Sequence, residues 1–356
     1  MNITKKRAFR MFTAVLVIAM LIASSVTTVL AAQTEPSLTK SELDLKVSKT
    51  ASLKVKNASS KVTWSSSDKA VVTVSSKGKV TAKDVGTATV YAKVDGKKLK
   101  CKVTVTNDFA DGRGTQDDPF QVETFSQLKK IKNYRTKHFV QIDDIDGNGK
   151  TLKTMFSKSK PFTGTYDGQD YTISNFVLTK ANYRLGIFGE ASKKSVLKNI
   201  HLVDVSAEVK TSGTLFAGAL AGQTYGTIEN CSVENITFDI TDETLKDADT
   251  KYIYNAAGGV VGRVSGGLIT ECSAENVEIS KTRDVGGLAG AVTNSANVEY
   301  SYVENIYAEA GGGAGGTVGS LNKGGAHDCT VTGDLELSGK YRYDNNFGYT
   351  KDVTWY

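Results

Sequence analysis

The stretch GALAGQTYGTIENCSVENI, residues 218–236, decides the fold, because its pattern occurs five times in the chain. In each copy a short apolar knot containing glycine is followed by an apolar strand. The knots read LGIFG (185–189), GALAG (218–222), GGVVG (258–262), GGLAG (286–290) and GGTVG (315–319). The strands read LKNIHLVDV (197–205), IENCSVENI (228–236), ITECSAENV (269–277), VEYSYVENI (298–306) and AHDCTVTGD (326–334). From the last knot glycine to the central strand residue the offset is 11, 9, 10, 11 and 10, ending at Ile200, Cys231, Cys272, Ser301 and Cys329. The last knot glycines themselves lie 33, 40, 28 and 29 residues apart. An offset held while the total spacing varies marks a repeat whose insertions fall in loops.

A unit of this size, two or three short strands with their turns, cannot bury its own apolar face. Successive units must stack and share a core. The expected fold class is all-β, with a parallel β-helix, or β-solenoid, over 185–335. With coils ~4.8 Å apart, Ile200, Cys231, Cys272, Ser301 and Cys329 form one inward ladder. Glycines allow the backbone to turn or approach closely at the knots. Alternation within the strands is only partly regular: Ile228, Ser232 and Glu234 share one parity, Cys231 and Val233 the other. The longest copy carries an extra loop, 237–256, with Asp239, Asp242, Glu243, Asp247 and Asp249. A solvated acidic loop is the default there, and a cation or partner site the alternative.

The knot-and-strand phrase resembles the GLUG-type repeat of bacterial secreted and surface proteins. PFTGTYDGQDYTISNF (161–176) and DGRGTQDDPFQVETFSQLKKI (111–131) are similar to segments that precede such repeats. The resemblance covers about 111–335. It implies an architecture and no single activity, since these repeats occur beside many functions.

Upstream, residues 1–32 carry Lys5, Lys6, Arg7 and Arg10, an apolar run from Met11 to Ala23, and small residues at Ala31 and Ala32. That is the pattern of a signal peptide. The alternative, an uncleaved anchor, needs ~20 apolar residues to span a bilayer, and this run is shorter. The expected location is extracellular, secreted or associated with the cell surface, with no membrane contact once the signal is removed.

Residues 37–106 alternate apolar and polar positions in short runs, such as Leu43/Leu45/Val47, Val72/Val74 and Cys101/Val103/Val105. Turn signals at Gly78, Gly86 and Gly96 separate the runs. Seven short strands in such a length predict a β-sandwich. VTWSSSDKAVVTVSSKGKVTAKDVGTATVYAKVDGK (62–97) resembles the bacterial immunoglobulin-like domain of group 2, with Trp64 as the expected core aromatic. The resemblance implies a spacer or adhesive module on a bacterial surface.

Residues 107–118 read as a polar linker. Phe125, Leu128 and Ile131 fall on one face of an amphipathic helix over 124–136, opposite Lys129, Lys130 and Lys132, with Thr124 or Ser126 as N-cap. A solenoid has an apolar end that needs a cap, and this helix with strand 138–145 takes that part, so 119–184 form the cap and first irregular coils. Residues 336–356 are aromatic, with Tyr341, Tyr343, Phe347, Tyr349, Trp355 and Tyr356. They are read as a C-terminal cap, with a partner or sugar-stacking surface as the alternative. No wall-sorting motif follows, so covalent attachment to the wall is not expected.

Charge separates the two parts. Residues 37–106 hold fifteen lysines against five acidic residues, and 107–356 hold 25 basic against 32 acidic residues. A lysine-coated module on an exported protein suits anionic wall polymers or acidic glycans, or is simply a soluble strand face. Nucleic acid is not expected, because the lysines lack arginine and interleaved aromatics. The expected partners are cell-wall polymers, glycans or host surface proteins.

Four cysteines, Cys101, Cys231, Cys272 and Cys329, are too few for a disulfide framework. Cys231 and Cys272 would lie on adjacent coils, close enough for a bond, but small core residues are the first reading. His138, His201 and His327 show no paired spacing for zinc. DIDGNG (144–149) matches a calcium loop at Asp144, Asp146 and Asn148, yet Met155 stands where a bidentate Glu is needed. A plain Asp/Gly turn is the reading there, calcium the alternative, and no cofactor is expected.

Glu234, Glu275 and Glu304 each lie three residues after the ladder position, an outward row of equivalent carboxylates. A glycosidase or lyase needs a dedicated pair, and a row generated by repetition is not one. No catalytic residues are assigned. The expected function is non-catalytic, as an adhesion or recognition module or rigid spacer. The alternative is a β-helix polysaccharide lyase or glycoside hydrolase.

Overall fold

The computed structural model describes residues 35–243, 255–338, 341–342 and 347–351. The predicted signal region, most of the acidic insertion, and Tyr343, Trp355 and Tyr356 lie outside the described residues. Two compact units divide near Thr104.

In the first unit, Glu42–Lys46, Lys97–Thr106, Gly86–Val94 and Thr63–Ser66 form a four-stranded sheet. Thr50–Ser52, Lys79–Ala82 and Val72–Val74 form a three-stranded one. Alternate positions point inward, so Leu53, Val72, Val80, Val90, Cys101 and Val103 are fully buried. Trp64 is not in that core. It is half-buried, its ring 2.9 Å from where a Cβ on Gly78 would stand, and Gly78 has φ +76°. The turn that needs a left-handed residue leaves a bare backbone, and the indole covers it from the rim.

The second unit is a parallel β-solenoid. Its eight-stranded sheet runs Phe120–Val122, His138–Gln141, Thr165–Asp167, Val196–Lys198, Thr227–Glu229, Leu268–Thr270, Asn297–Glu299, Gly325–His327. A seven-stranded sheet of longer strands includes His201–Thr211, Ser232–Asp242, Ser273–Thr282, Tyr302–Ala310 and Thr330–Ser338. Two six-stranded sheets flank each knot, for example Leu215–Ala217 before and Ala221–Thr224 after it. A regular coil therefore has four strands, more than the two or three expected. The knot is itself a corner with a strand on either side, and its glycines hide those strands from a reading based on side chains.

The partial alternation has a cause. Asn199, Asn230, Glu271, Tyr300 and Asp328 have left-handed backbones with φ between 47° and 54°. Each ends a strand of the eight-stranded sheet, so the predicted single strand 228–236 is a corner between two sheets. Asp204, Asn235, Asn276 and Asn305 form a second left-handed column. Each of these residues shifts the inward parity by one, and Ile228, Cys231, Val233, Ile236 and Phe238 all point inward.

The helix is shorter than predicted: Phe125–Lys130, followed by a 3-10 turn at Ile131–Asn133. Thr124 caps it, its hydroxyl accepting from the Gln127 amide at 3.3 Å. The helix ends because Tyr134 turns in against Phe109 and Phe120, each at 5.2 Å between ring centres. Its hydroxyl donates to Asp108 at 2.8 Å. Phe139, Phe162, Tyr166 and Phe188 continue this aromatic filling into the first coils.

Candidate functional site

The ladder forms in register. Leu202, Val233, Ala274, Val303 and Val331 pair in succession, which aligns Ile200, Cys231, Cys272, Ser301 and Cys329 two residues before them. The cysteines are free thiols. Cys231, Cys272 and Cys329 donate to the carbonyls of Glu229, Thr270 and His327 at 3.2–3.3 Å, and Ser301 donates to Glu299 at 2.8 Å. Burial pushes the Cys231 thiol well above its ordinary range, and the Cys272 thiol beside it acts in the same direction. Such thiols are inert packing groups.

Two amide ladders run along the corners. Asn276 donates to Asn235 at 3.1 Å and accepts from Asn305 at 2.9 Å, while Asn235 donates to Asp204 at 3.0 Å. In the other column Asn230 donates to Asn199, and Asn199 to Asp167, each at 2.9 Å. Burial opposes ionisation of Asp167, but Asn199, the Gln169 amide and Lys198 outweigh it and hold the carboxyl below its usual range. These groups tie coils together.

Between the two six-stranded sheets the outward rows face each other and fill a second small core. Phe216 packs with Ala256, Ala291 and Tyr183. Arg184, 4% exposed, donates to Glu190 at 2.7 Å and to Gln223, and its guanidinium lies 4.1 Å from the Tyr183 ring centre. Asp284 accepts from the Gly313 amide at 3.1 Å and from Ser320 at 3.0 Å. Burial pushes its carboxyl up, against the opposing effects of these donors and Arg283. Sequence reasoning missed this cluster, because its members are polar or small and come from different coils.

At the calcium-like turn, Asp146 accepts from the Asn148 amide at 2.7 Å and Asp144 from the Thr172 amide at 2.8 Å. One oxygen of each carboxylate is thus engaged by backbone. Among the described residues no three ligating side chains converge as a metal site would need. Asp242, expected in a solvated loop, is buried, extends the ladder beside Thr211 and accepts from Asn255. Asp247 and Asp249 lie outside the described residues. His201 meets Ser232 at 2.6 Å and Asp170 at 3.4 Å, a contact between coils.

The candidate site is the outward face of the seven-stranded sheet. Glu234, Glu275 and Glu304 pair in register, as expected. The structure adds two further rows. Thr237, Glu278, Tyr307 and Glu336 pair in one, and Asp239 pairs with Ser280, and Glu309 with Ser338, in the other. Tyr302 donates to Glu304 at 2.6 Å, and that bond raises the phenol pKa.

Residues 25–105 match the bacterial Ig-like domain (group 2) family, and residues 253–280 match the GLUG motif. Over 136 residues the chain is 32% identical to a protein of Evansella cellulosilytica named "Putative Gly-rich membrane protein", covering 35% of this chain and 16% of that one. Over 206 residues it is 26% identical to halomucin of Haloquadratum walsbyi, covering 53% of this chain and 2% of halomucin. The chain thus spans a small fraction of the length of these relatives. A solved structure titled IgA1 protease aligns over 73% of this chain and 24% of its own, at 16% identity and a TM-score of 0.30. Among the described residues no helix is long and apolar enough to cross a membrane.

Proposed function

We propose that this chain is an exported, non-catalytic module of a bacterial cell surface, in which a basic Ig-like sandwich and an acidic solenoid serve recognition and spacing. The observation that carries this reading is the repetition of the outward carboxylates. Glu234, Glu275 and Glu304 occupy equivalent positions in three coils. An acid/base pair needs two carboxyls in different surroundings, whereas equivalent groups at regular intervals suit an extended polymeric ligand. The relatives' names, a membrane protein and a halomucin, support a surface location.

The second reading, a glycan lyase or hydrolase, draws on one feature: carboxylates on neighbouring strands stand ~4.8 Å apart, near the separation of about 5 Å in retaining glycosidases. The test is binding of the exported protein to cell-wall polymers, glycans and surface proteins across a salt series, with product analysis of every hit. Saturable binding without product supports recognition. Release of shorter glycans overturns it in favour of the enzyme. Recovery of the protein in the medium or on the cell surface, with its new N-terminus near Ala31–Ala32, checks export.

A further inference from the structure

The outward rows of the seven-stranded sheet from Ser232 to Ser338 hold seven acidic residues (Asp239, Glu234, Glu275, Glu278, Glu304, Glu309 and Glu336), against one exposed basic residue in these strands, Lys281, which follows Ser280 at a left-handed position. Directly opposed like charges destabilise a sheet. Among the described residues none of these carboxylates forms an ion pair. The face is also not simply acidic. A cleft of about 470 Å³ crosses it, walled by Glu278, Ser280, Tyr307, Glu309, Glu336 and Ser338. Ile279 and Ala308, whose side chains are buried, and the half-buried Leu335 and Leu337 complete its lining. Tyr307 is 38% exposed, and its hydroxyl has no partner among the described residues. Tyr302, equally exposed, stands on the same strand.

We propose that this cleft binds a glycan chain bearing free amino groups. The proposal rests on the recognition reading above and names its ligand class. Protonated amines complement carboxylates that lack a cationic partner in the protein, and the sugar hydroxyls complement Ser280, Ser338 and the remaining carboxylate oxygens. An exposed tyrosine offers an apolar ring face to the sugar and attracts an ammonium group through its quadrupole. The same negative field repels uronic acids and phosphate-bearing polymers, which gives discrimination as well as attraction. Because Glu234, Glu275 and Glu304 repeat across three coils beside the cleft, a polymer laid across the strands meets several carboxylates at once, and its affinity grows with chain length.

The test is titration calorimetry of the full chain with a glucosamine hexamer, its fully N-acetylated counterpart and an oligogalacturonate. The full chain is expected to bind the glucosamine hexamer, and to bind the acetylated hexamer at least about tenfold more weakly, the loss of one charge pair. Replacing Glu278, Glu309 and Glu336 together by glutamine, or Tyr307→Ala alone, is expected to weaken binding by a similar factor. Circular dichroism should show both variants folded, since these side chains lie outside the core, and Tyr307→Phe supplies a milder variant that keeps the ring. Equal binding of the acetylated hexamer, or binding indifferent to all three variants, overturns the proposal. If the glucosamine hexamer is ignored while another polymer binds, this proposal fails and the recognition reading stands. Silence across every polymer removes both.

Discussion

At the scale of single residues, the solenoid depends on side chains that tolerate a left-handed backbone and bond to the next coil. Asn276 does both: φ is +52°, and its amide bridges Asn235 and Asn305. Asn276→Ala removes two half-exposed hydrogen bonds and adds left-handed strain, an expected loss of about 2 kcal/mol in urea unfolding. Asn276→Gly relieves the strain and should recover about 1 kcal/mol of it. Asp284 behaves differently. Burial raises its carboxyl pKa in the folded state, so between the unfolded and folded values the native protein holds a proton that the unfolded chain has lost. Stability contributed by this group is therefore present below the ordinary carboxylate range and falls as pH rises through the folded value. Asp284→Asn should flatten the fall, as measured by thermal melts from acid to neutral pH. Of these two residues, the asparagine column shows in the sequence as a recurrent Glu-Asn pair, but nothing near Asp284 signals a buried acid.

At the scale of the element, the glycine knot is the part that the fold cannot change. A Cβ on Gly262 would meet the Ala217 amide and lie 2.6 Å from the Phe216 carbonyl carbon. Gly290 stands in the same relation to Ala256 and Ala257, and Gly319 to Val285. The last knot glycine is thus the point where a strand lies flat against the previous coil, and backbone leaves no room to repack. Gly262→Ala should cost about 3 kcal/mol, at the upper end for overpacking. Gly213, with no atom within 4 Å of its added Cβ, is the control, and Gly213→Ala should be neutral within about 1 kcal/mol. The knots were legible because their glycines recur at a fixed offset. The strands beside them were not, since a glycine has no side chain to show which way a strand faces.

At the scale of the whole molecule, the two units have separate cores, one centred on Val90 and Val103, the other on the inward rows of the solenoid. Calorimetry should resolve two transitions, and Gly262→Ala should lower one while leaving the other in place. A single transition lowered as a whole would show the units to be one cooperative body. The sequence by itself determined the sandwich, the repeat and the parallel coil, because apolar periodicity, turn residues and a conserved offset are local or regularly spaced signals. It also determined the row Glu234, Glu275 and Glu304, which follows from the repeat. Only the tertiary structure decided that each coil has four strands, that Trp64 sits at the rim, that Asp242 is buried, and that Tyr307 stands among Glu278, Glu309 and Glu336. Those facts depend on which residues some thirty positions apart come to lie side by side, and left-handed corners reset that alignment twice in every coil.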